Sequence, residues 1–315
     1  MPSSSAPDAV PRLDVAELEQ AEELEHARPR ERALGESKEP GGGRRGWITA
    51  VWALPGGVWL GFFLLAPLVF IVLVSFWTYQ LGAKSGFTTK WTLANYGTIL
   101  HSSTYWHNML GSLYTSLFAV AVCLIIGFPV AYFLALKVQN LRNQIALFVI
   151  ALAPFWTSFL VRSVAWTYPL SEVLGKFGVS TPSTTSVRLA MIQLYILFMI
   201  TPLFFTLAQV DRTAIEAARD LGGNWWRTFV AVILPQTLPG IVIGSIFIFV
   251  LTMGEYGTVL VVGQNYVQSV GTIVNSYIVG AVQYPQGAAA AVLLVLALIA
   301  GVLAITRVSN LREEL

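Results

Sequence analysis

Apolar residues in this chain fall in long unbroken runs, without the two-residue alternation of a half-buried strand or the one-sided stripe of a surface helix. No charge occurs from 46 to 83, where the apolar centre lies at 52–77. Further runs cover 109–136, 145–168, 189–210, 237–262 and 287–306. The third is interrupted only by Arg162, and the fifth carries one acid, Glu255. A helix needs about 20 mostly apolar residues, at about 1.5 Å each, to cross a bilayer core. The pattern therefore predicts an all-α integral membrane protein, with six transmembrane helices filling 47–310 and no space for a soluble domain between them. Pro129, Pro154 and Pro202 lie inside these runs and predict kinks.

Charge sharpens this picture. Of 315 residues only 11% are charged, too few to keep the surface of a soluble globule wet. Residues 1–46 hold 17 of the 36 charges. That segment has too few large apolar residues to offset the entropy of folding, so it reads as a disordered cytoplasmic tail. Six spans put both termini on one side of the membrane. With the termini inside, the cytoplasmic flanks carry Arg44, Arg45, Lys137, Arg142, Arg212, Arg219, Arg227, Arg307 and Arg312. The outer loops then carry Lys84, Lys90, Lys176 and Arg188. That asymmetry predicts cytoplasmic termini, including the short end 311–315, in a multi-pass protein of the plasma or inner membrane. Trp77, Tyr79, Trp91, Trp106 and Tyr168 fall near the outer interface, where amphipathic rings are favoured.

Several functions are disfavoured by what the chain lacks. A net charge of +2 with no basic stripe gives no reason to expect a nucleic-acid partner. Cys123 stands alone in an apolar run, so neither an internal disulfide nor a cysteine metal site is expected. An intramembrane enzyme needs a nucleophile–base pair or metal ligands within spans. There is no HExxH, and His26, His101 and His107 all fall outside the predicted spans. GxxxxGK[ST] is also absent, so the chain has no phosphate-cradling loop of its own and no cofactor is expected. A passive helical-bundle channel would explain six spans and an intramembrane acid, but nothing between spans four and five.

There, 211–227 has the densest charge outside the tail. Thr213 is placed to cap a helix whose third residue is Glu216. Ala217 and Ala218 favour helix with almost no bulk, and Gly222-Gly223 can end it through positive φ. A second amphipathic piece follows, and Pro235 and Pro239 are expected to break it before span five. The result is a short helix lying across the cytoplasmic face.

The string Glu216-Ala217-Ala218, three residues, Gly222, nine residues, Val232, one residue, Leu234-Pro235 resembles the EAA signature of ABC-importer permease subunits. The family usually has Ile where this chain has Val232. The resemblance covers about 47–310 and implies the type I importer fold. In that architecture a permease dimer crosses the membrane, carries two cytoplasmic ATPase subunits that bind the ATP, and receives its solute from an external substrate-binding protein. It also implies that Glu216, Ala217, Ala218, Asp220, Gly222 and Gly223, within the loop 211–235, form the coupling helix that docks in a cleft of the ATPase.

Other strings look like polyamine (spermidine/putrescine) permeases. They are Asp220-Leu221-Gly222, Pro154-Phe155-Trp156-Thr157-Ser158 with Val161-Arg162, Gly254-Glu255-Tyr256, Gly271-Thr272-Ile273 and Tyr284-Pro285-Gln286-Gly287-Ala288. Trp is more usual at Tyr284, and permeases for iron, sulfate and some opines share much of the pattern. The resemblance implies a polyamine cargo and a second, related permease chain in a heterodimer. An intramembrane carboxylate usually marks a pathway, and an anion among aromatics can hold an ammonium group. Glu255 with Tyr256, Trp156, Trp166 and Tyr195 is the candidate solute site. The alternative is that Glu255 pairs with Arg162 and joins spans three and five; Arg162 itself is also an anion-binding candidate.

Overall fold

The computed structural model describes residues 42–80, 87–167 and 169–313. The expected tail lies outside the described residues apart from 42–46. Nearly all regular structure is helical. A long α1 (Gly42–Ser75) leads into a hairpin of β1 (Trp77–Tyr79) and β2 (Phe87–Trp91), then α2 (Ala94–Leu100) and α3 (Ser103–Tyr132). After α4 (Leu141–Leu152) come the short α5 (Phe159–Ala165) and α6 (Pro169–Lys176), then α7 (Thr184–Ala208). The rest comprises α8 (Arg212–Asp220), α9 (Trp225–Thr228), α10 (Leu234–Met253), α11 (Gly257–Gly263), α12 (Val270–Asn275) and α13 (Tyr284–Glu313). The chain divides between Ala66 and Pro67, inside α1. The earlier unit contains the first part of α1, which is apolar from Leu54, and the residues from Pro67 onward form the other.

Among the described residues, five helical stretches are long and apolar enough to cross a membrane: Leu54–Ser75, Ser103–Lys137, Thr184–Ala208, Trp225–Met253 and Tyr284–Arg307. A sixth crossing requires counting Leu141–Trp156 and Phe159–Ala165 together, although they are bent by 82°. The expected third span is thus broken at Thr157-Ser158. Pro154 lacks an amide hydrogen, and the chain tightens into a 3₁₀ turn at Ala153–Trp156 before it turns. The other prolines behave differently. Pro129 and Pro202 sit inside continuous helices. The break expected at Pro235 and Pro239 does not occur: the span starts at Trp225, and a π-helical turn at Phe229–Ile233 precedes Pro235. Such a widened turn accommodates a ring that would strike a carbonyl in a regular helix. The second span also begins earlier than its apolar run, at Ser103, so His107 lies inside it.

α7 is the hub. Cys123 and Gly127 of α3 meet Ile192 and Met199 of α7, so these helices run parallel. Gly244 and Gly240 of α10 meet Met199 and Thr206, so α10 runs antiparallel to α7. Phe148 stacks on Phe204 and Phe155 packs edge-on against Phe198, which reverses α4 as well. Tyr105 donates to the Ala290 carbonyl, and Gly301 abuts Phe249, placing α13 parallel to α3. From α3 onward, successive crossings alternate in direction.

α7 and α10 touch through small residues. A Cβ at Gly240 would stand 2.2 Å from Thr206 Oγ1 and 2.9 Å from the Pro202 carbonyl oxygen. Gly240 and Gly244 form a GxxxG ridge, whose value in lipid lies in close backbone approach. Gly240→Ala should lower the thermal midpoint of the protein in detergent, a loss of about 1–3 kcal/mol for overpacking. Thr206→Ala in the same background should recover only part of it, because the Pro202 carbonyl remains. An unchanged midpoint for Gly240→Ala would show that the contact is loose.

Candidate functional site

The segment between α7 and α10 starts from Asp211. Its carboxylate caps α8, accepting from the Thr213 amide at 2.8 Å and the Thr213 hydroxyl at 2.7 Å. The cap is therefore Asp211 and not Thr213, since an ionised acceptor binds an orphan amide more strongly than a hydroxyl does. α8 ends in a Schellman turn. The Gly223 amide bonds to the Ala218 carbonyl at 2.9 Å and the Gly222 amide to that of Arg219 at 2.8 Å. Gly222 has φ +80°, while a Cβ at Gly223 would come within 2.5 Å of the Ala218 oxygen. The two glycines are thus required for different reasons.

Ile215 packs on the core and Ala218 is half-buried, whereas Glu216, Ala217, Asp220 and Gly222 face outward. Beside them Leu221 is 89% exposed, an apolar side chain that this chain leaves uncovered. Asn224 caps α9, and Trp225 and Trp226 stack on Phe229 while remaining exposed. The whole segment lies at the end of the bundle where α3 finishes and α4 begins.

Of the six candidate pathway residues, Glu255 and Tyr195 meet, with the Arg162 charge close to Tyr195, whereas Trp156, Trp166 and Tyr256 do not join them in one site. Glu255 is not inside a span: α10 ends at Met253, and Glu255 stands in the three-residue break before α11. Its Oε1 accepts from the Thr258 amide at 2.7 Å, capping α11, and its Oε2 accepts a short hydrogen bond from the Tyr195 hydroxyl. Phe159 and the Glu255 carboxylate both crowd Gly257, which brings α5 to the same place. Arg162, one turn beyond Phe159, lies over the Phe155 ring at 5.7 Å. Its Nε and Nη1 are buried with no hydrogen-bond partner, so they do not take up the Glu255 carboxylate in this structure. Trp166 is buried and reaches Gln193 at 3.5 Å. Tyr256 is half exposed, and Trp156 is 80% exposed.

A polar cavity with a volume of about 850 Å³ lies elsewhere. It opens between the starts of α3 and α7, the end of α10 and the loop between α11 and α12. Thr104, Asn108, Ser112 and Thr115 of α3, Arg188 of α7 and Ser269 line it. A signal for it exists in the sequence: positions 104, 108, 112 and 115 place polar groups on one face of an apolar helix. The cavity joins the Glu255 break through backbone bonds. Ser269 Oγ donates to the Glu255 carbonyl at 2.9 Å, and Ser112 Oγ accepts from the Val270 amide at 3.0 Å.

No family model matches the chain. It is 31% identical over 250 residues to the spermidine/putrescine transport system permease protein PotB of Haemophilus influenzae, spanning 74% of this chain and 84% of that one. To PotB of Escherichia coli it is 30% identical over 268 residues, 81% of this chain and 96% of the relative. Among solved structures it superposes with a TM-score of 0.56 on a chain of a bacterial ABC transporter involved in import of the acidic polysaccharide alginate. That likeness covers 85% of this chain and 96% of the other at 17% identity, and bears on the fold alone.

Hydrogen bonds to Thr213 hold the Asp211 carboxyl below the usual carboxylate range. A depressed folded-state pKa means that the contribution to α8 is fully present above the ordinary value and is lost as pH falls through the depressed one. Amide exchange at Thr213 should therefore accelerate relative to the bundle core on acidification, and Asp211→Asn should flatten that dependence. Tyr195→Phe and Glu255→Gln should each destabilise the protein, with a coupling energy of roughly 1.5–3 kcal/mol in a double-mutant cycle. Additive losses would mean that the hydroxyl does not hold the carboxylate.

Proposed function

The chain belongs to the ABC-importer permease family that includes the spermidine/putrescine permeases, and from that premise we propose that it forms part of the translocation path for a polyamine. The observation supporting this cargo is the 30–31% identity to two PotB proteins over most of the chain. ATP is hydrolysed by two separate ATPase subunits, and this chain holds no cofactor. A second, related permease completes the path, and an external binding protein delivers the solute.

Charge sets the orientation. Lys137, Arg142, Arg212, Arg219, Arg227 and Arg307 gather at the end that carries α8, whereas Lys90, Lys176 and Arg188 lie towards the other. The α8 end is cytoplasmic, and with it both termini. α8 is the coupling helix. Ala217 lets it enter a groove, Leu221 offers an apolar contact, and the glycine turn fixes its angle to the span behind it. Closure of the ATPases moves α8 as a lever and switches the access of the path. Glu255 holds α11 against α7, since both its oxygens already have donors.

The test is uptake of labelled spermidine by proteoliposomes containing the assembled transporter. Ala217→Trp should abolish uptake and release the ATPase on purification. Gly222→Val, which forces a branched side chain into positive φ at a cost of about 1–2 kcal/mol, should abolish uptake as well. Binding of the external protein should survive both changes. Normal uptake with the ATPase retained in both variants would remove α8 as the transmission element; failure of the unaltered transporter to take up spermidine or putrescine would remove the cargo.

A further inference from the structure

The cavity at the start of α7 lacks the carboxylates that an ammonium site offers. A cation site offers carboxylates or aromatic faces. Among the described residues lining this cavity there is no carboxylate; Tyr266 is its one phenol ring, His107 its one imidazole, and the guanidinium of Arg188 its one permanent charge. That guanidinium is fixed in place. Nε donates to Thr115 Oγ1 at 3.3 Å, and the group lies over the Tyr114 ring at 4.8 Å and the Phe118 ring at 5.7 Å. Among the described residues, Thr115 is its hydrogen-bond acceptor, so the two terminal nitrogens have none there. A planar fork of charged donors facing open space matches two oxygens of one anion. Ser103, Thr104, Thr184 and Gln268 supply further polar groups on the same walls.

We propose that this cavity binds an oxyanion, a carboxylate or phosphate-type group, on the fork of Arg188, and that the same charge turns free cations away. A single guanidinium within low-dielectric walls attracts anions and raises a barrier to cations. The anion comes from one of two sources. It is either a dissolved counter-anion that accompanies a polycation or the carboxylate of an amphoteric solute. The site rests on the cavity alone and does not depend on the polyamine reading.

The test uses the assembled transporter with Cys123→Ala and a single cysteine at the cavity wall, Thr184→Cys. Labelling rates are compared for an anionic and a cationic methanethiosulfonate reagent. The anionic-to-cationic ratio should fall about tenfold in Arg188→Gln, the scale of electrostatic steering in a cleft. Inorganic phosphate should slow the anionic reagent when Arg188 is present. Arg188→Lys should keep the rate ratio, which needs only charge, and lose the protection by phosphate, which needs the fork. Absence of phosphate protection in the Arg188 protein overturns the site, whatever the ratio does. Uptake separates the sources. Transport of 4-aminobutyrate that Arg188→Gln abolishes identifies an amphoteric cargo, and spermidine uptake that rises with external phosphate only when Arg188 is present identifies a counter-anion. Protection by phosphate without polyamine uptake would sink the polyamine reading alone; polyamine uptake without protection would sink the anion site alone.

Discussion

A lipid interior offers no hydrogen bonds, so every place where a crossing departs from helix has to be closed by the protein itself. This constraint organises the half of the bundle away from α8. α10 stops at Met253, and the backbone then runs through two short helices before α13 begins. Three side chains close the exposed groups along that path. Glu255 caps the Thr258 amide, Ser269 covers the Glu255 carbonyl, and Ser112 reaches across from α3 to the Val270 amide. The Tyr195 hydroxyl then ties the capping carboxylate to α7. Removing Glu255 would release an amide and a tyrosine together, so its placement has a structural cause before any solute is considered.

The same constraint explains what happens at the other end. Two of the π-helical turns, at Phe133–Lys137 and Phe229–Ile233, sit where crossings approach the α8 end. A π turn keeps its backbone bonds while adding a residue, so it redirects the chain without stranding a donor. The first meets the Gln144 carboxamide, which donates to the carbonyls of Leu134 and Ala135 at 3.1 Å. The second carries Phe229, against which Trp225, Trp226 and Phe128 pack. α8 is thus attached to a span end that is bonded and packed, which suits the coupling role proposed for it.

How much of this was legible in the sequence follows from what each residue reports locally. Long charge-free runs report burial in lipid directly, and the five long crossings were visible for that reason. Gly222 was visible because only a turn explains a Gly-Gly after a charged helical repeat. Pro154 announced a bend in the third span, but not one of 82°, because hydropathy averages over a window and carries no direction. Proline was an unreliable guide for a physical reason: Pro154 breaks its helix, whereas a π turn absorbs Pro235 and continuous helix accommodates Pro129 and Pro202. Glu255 stood out by its charge, but its partner Tyr195 lies 60 positions earlier, and no spacing rule links them. The cavity stayed hidden because hydroxyl groups barely change hydropathy. Its polar face on α3 is seen only when positions 104, 108, 112 and 115 are placed on a helix.

Charge within the bundle then constrains what the chain can recognise alone. Glu255 already holds two donors, and the polar cavity contains a guanidinium and no carboxylate. The Arg162 guanidinium has two buried nitrogens without an acceptor. Each of these features favours an anion or is indifferent to a cation. An ammonium group moving through a low-dielectric passage needs carboxylates or aromatic faces to replace its water. On the polyamine reading proposed above, a second permease chain sharing the passage is a source of further carboxylates. Two identical chains would double the guanidinium charge along it, whereas two different chains can place positive and negative walls opposite each other. Electrostatics of the passage therefore supports the proposal that a cationic cargo is served by two different permease chains.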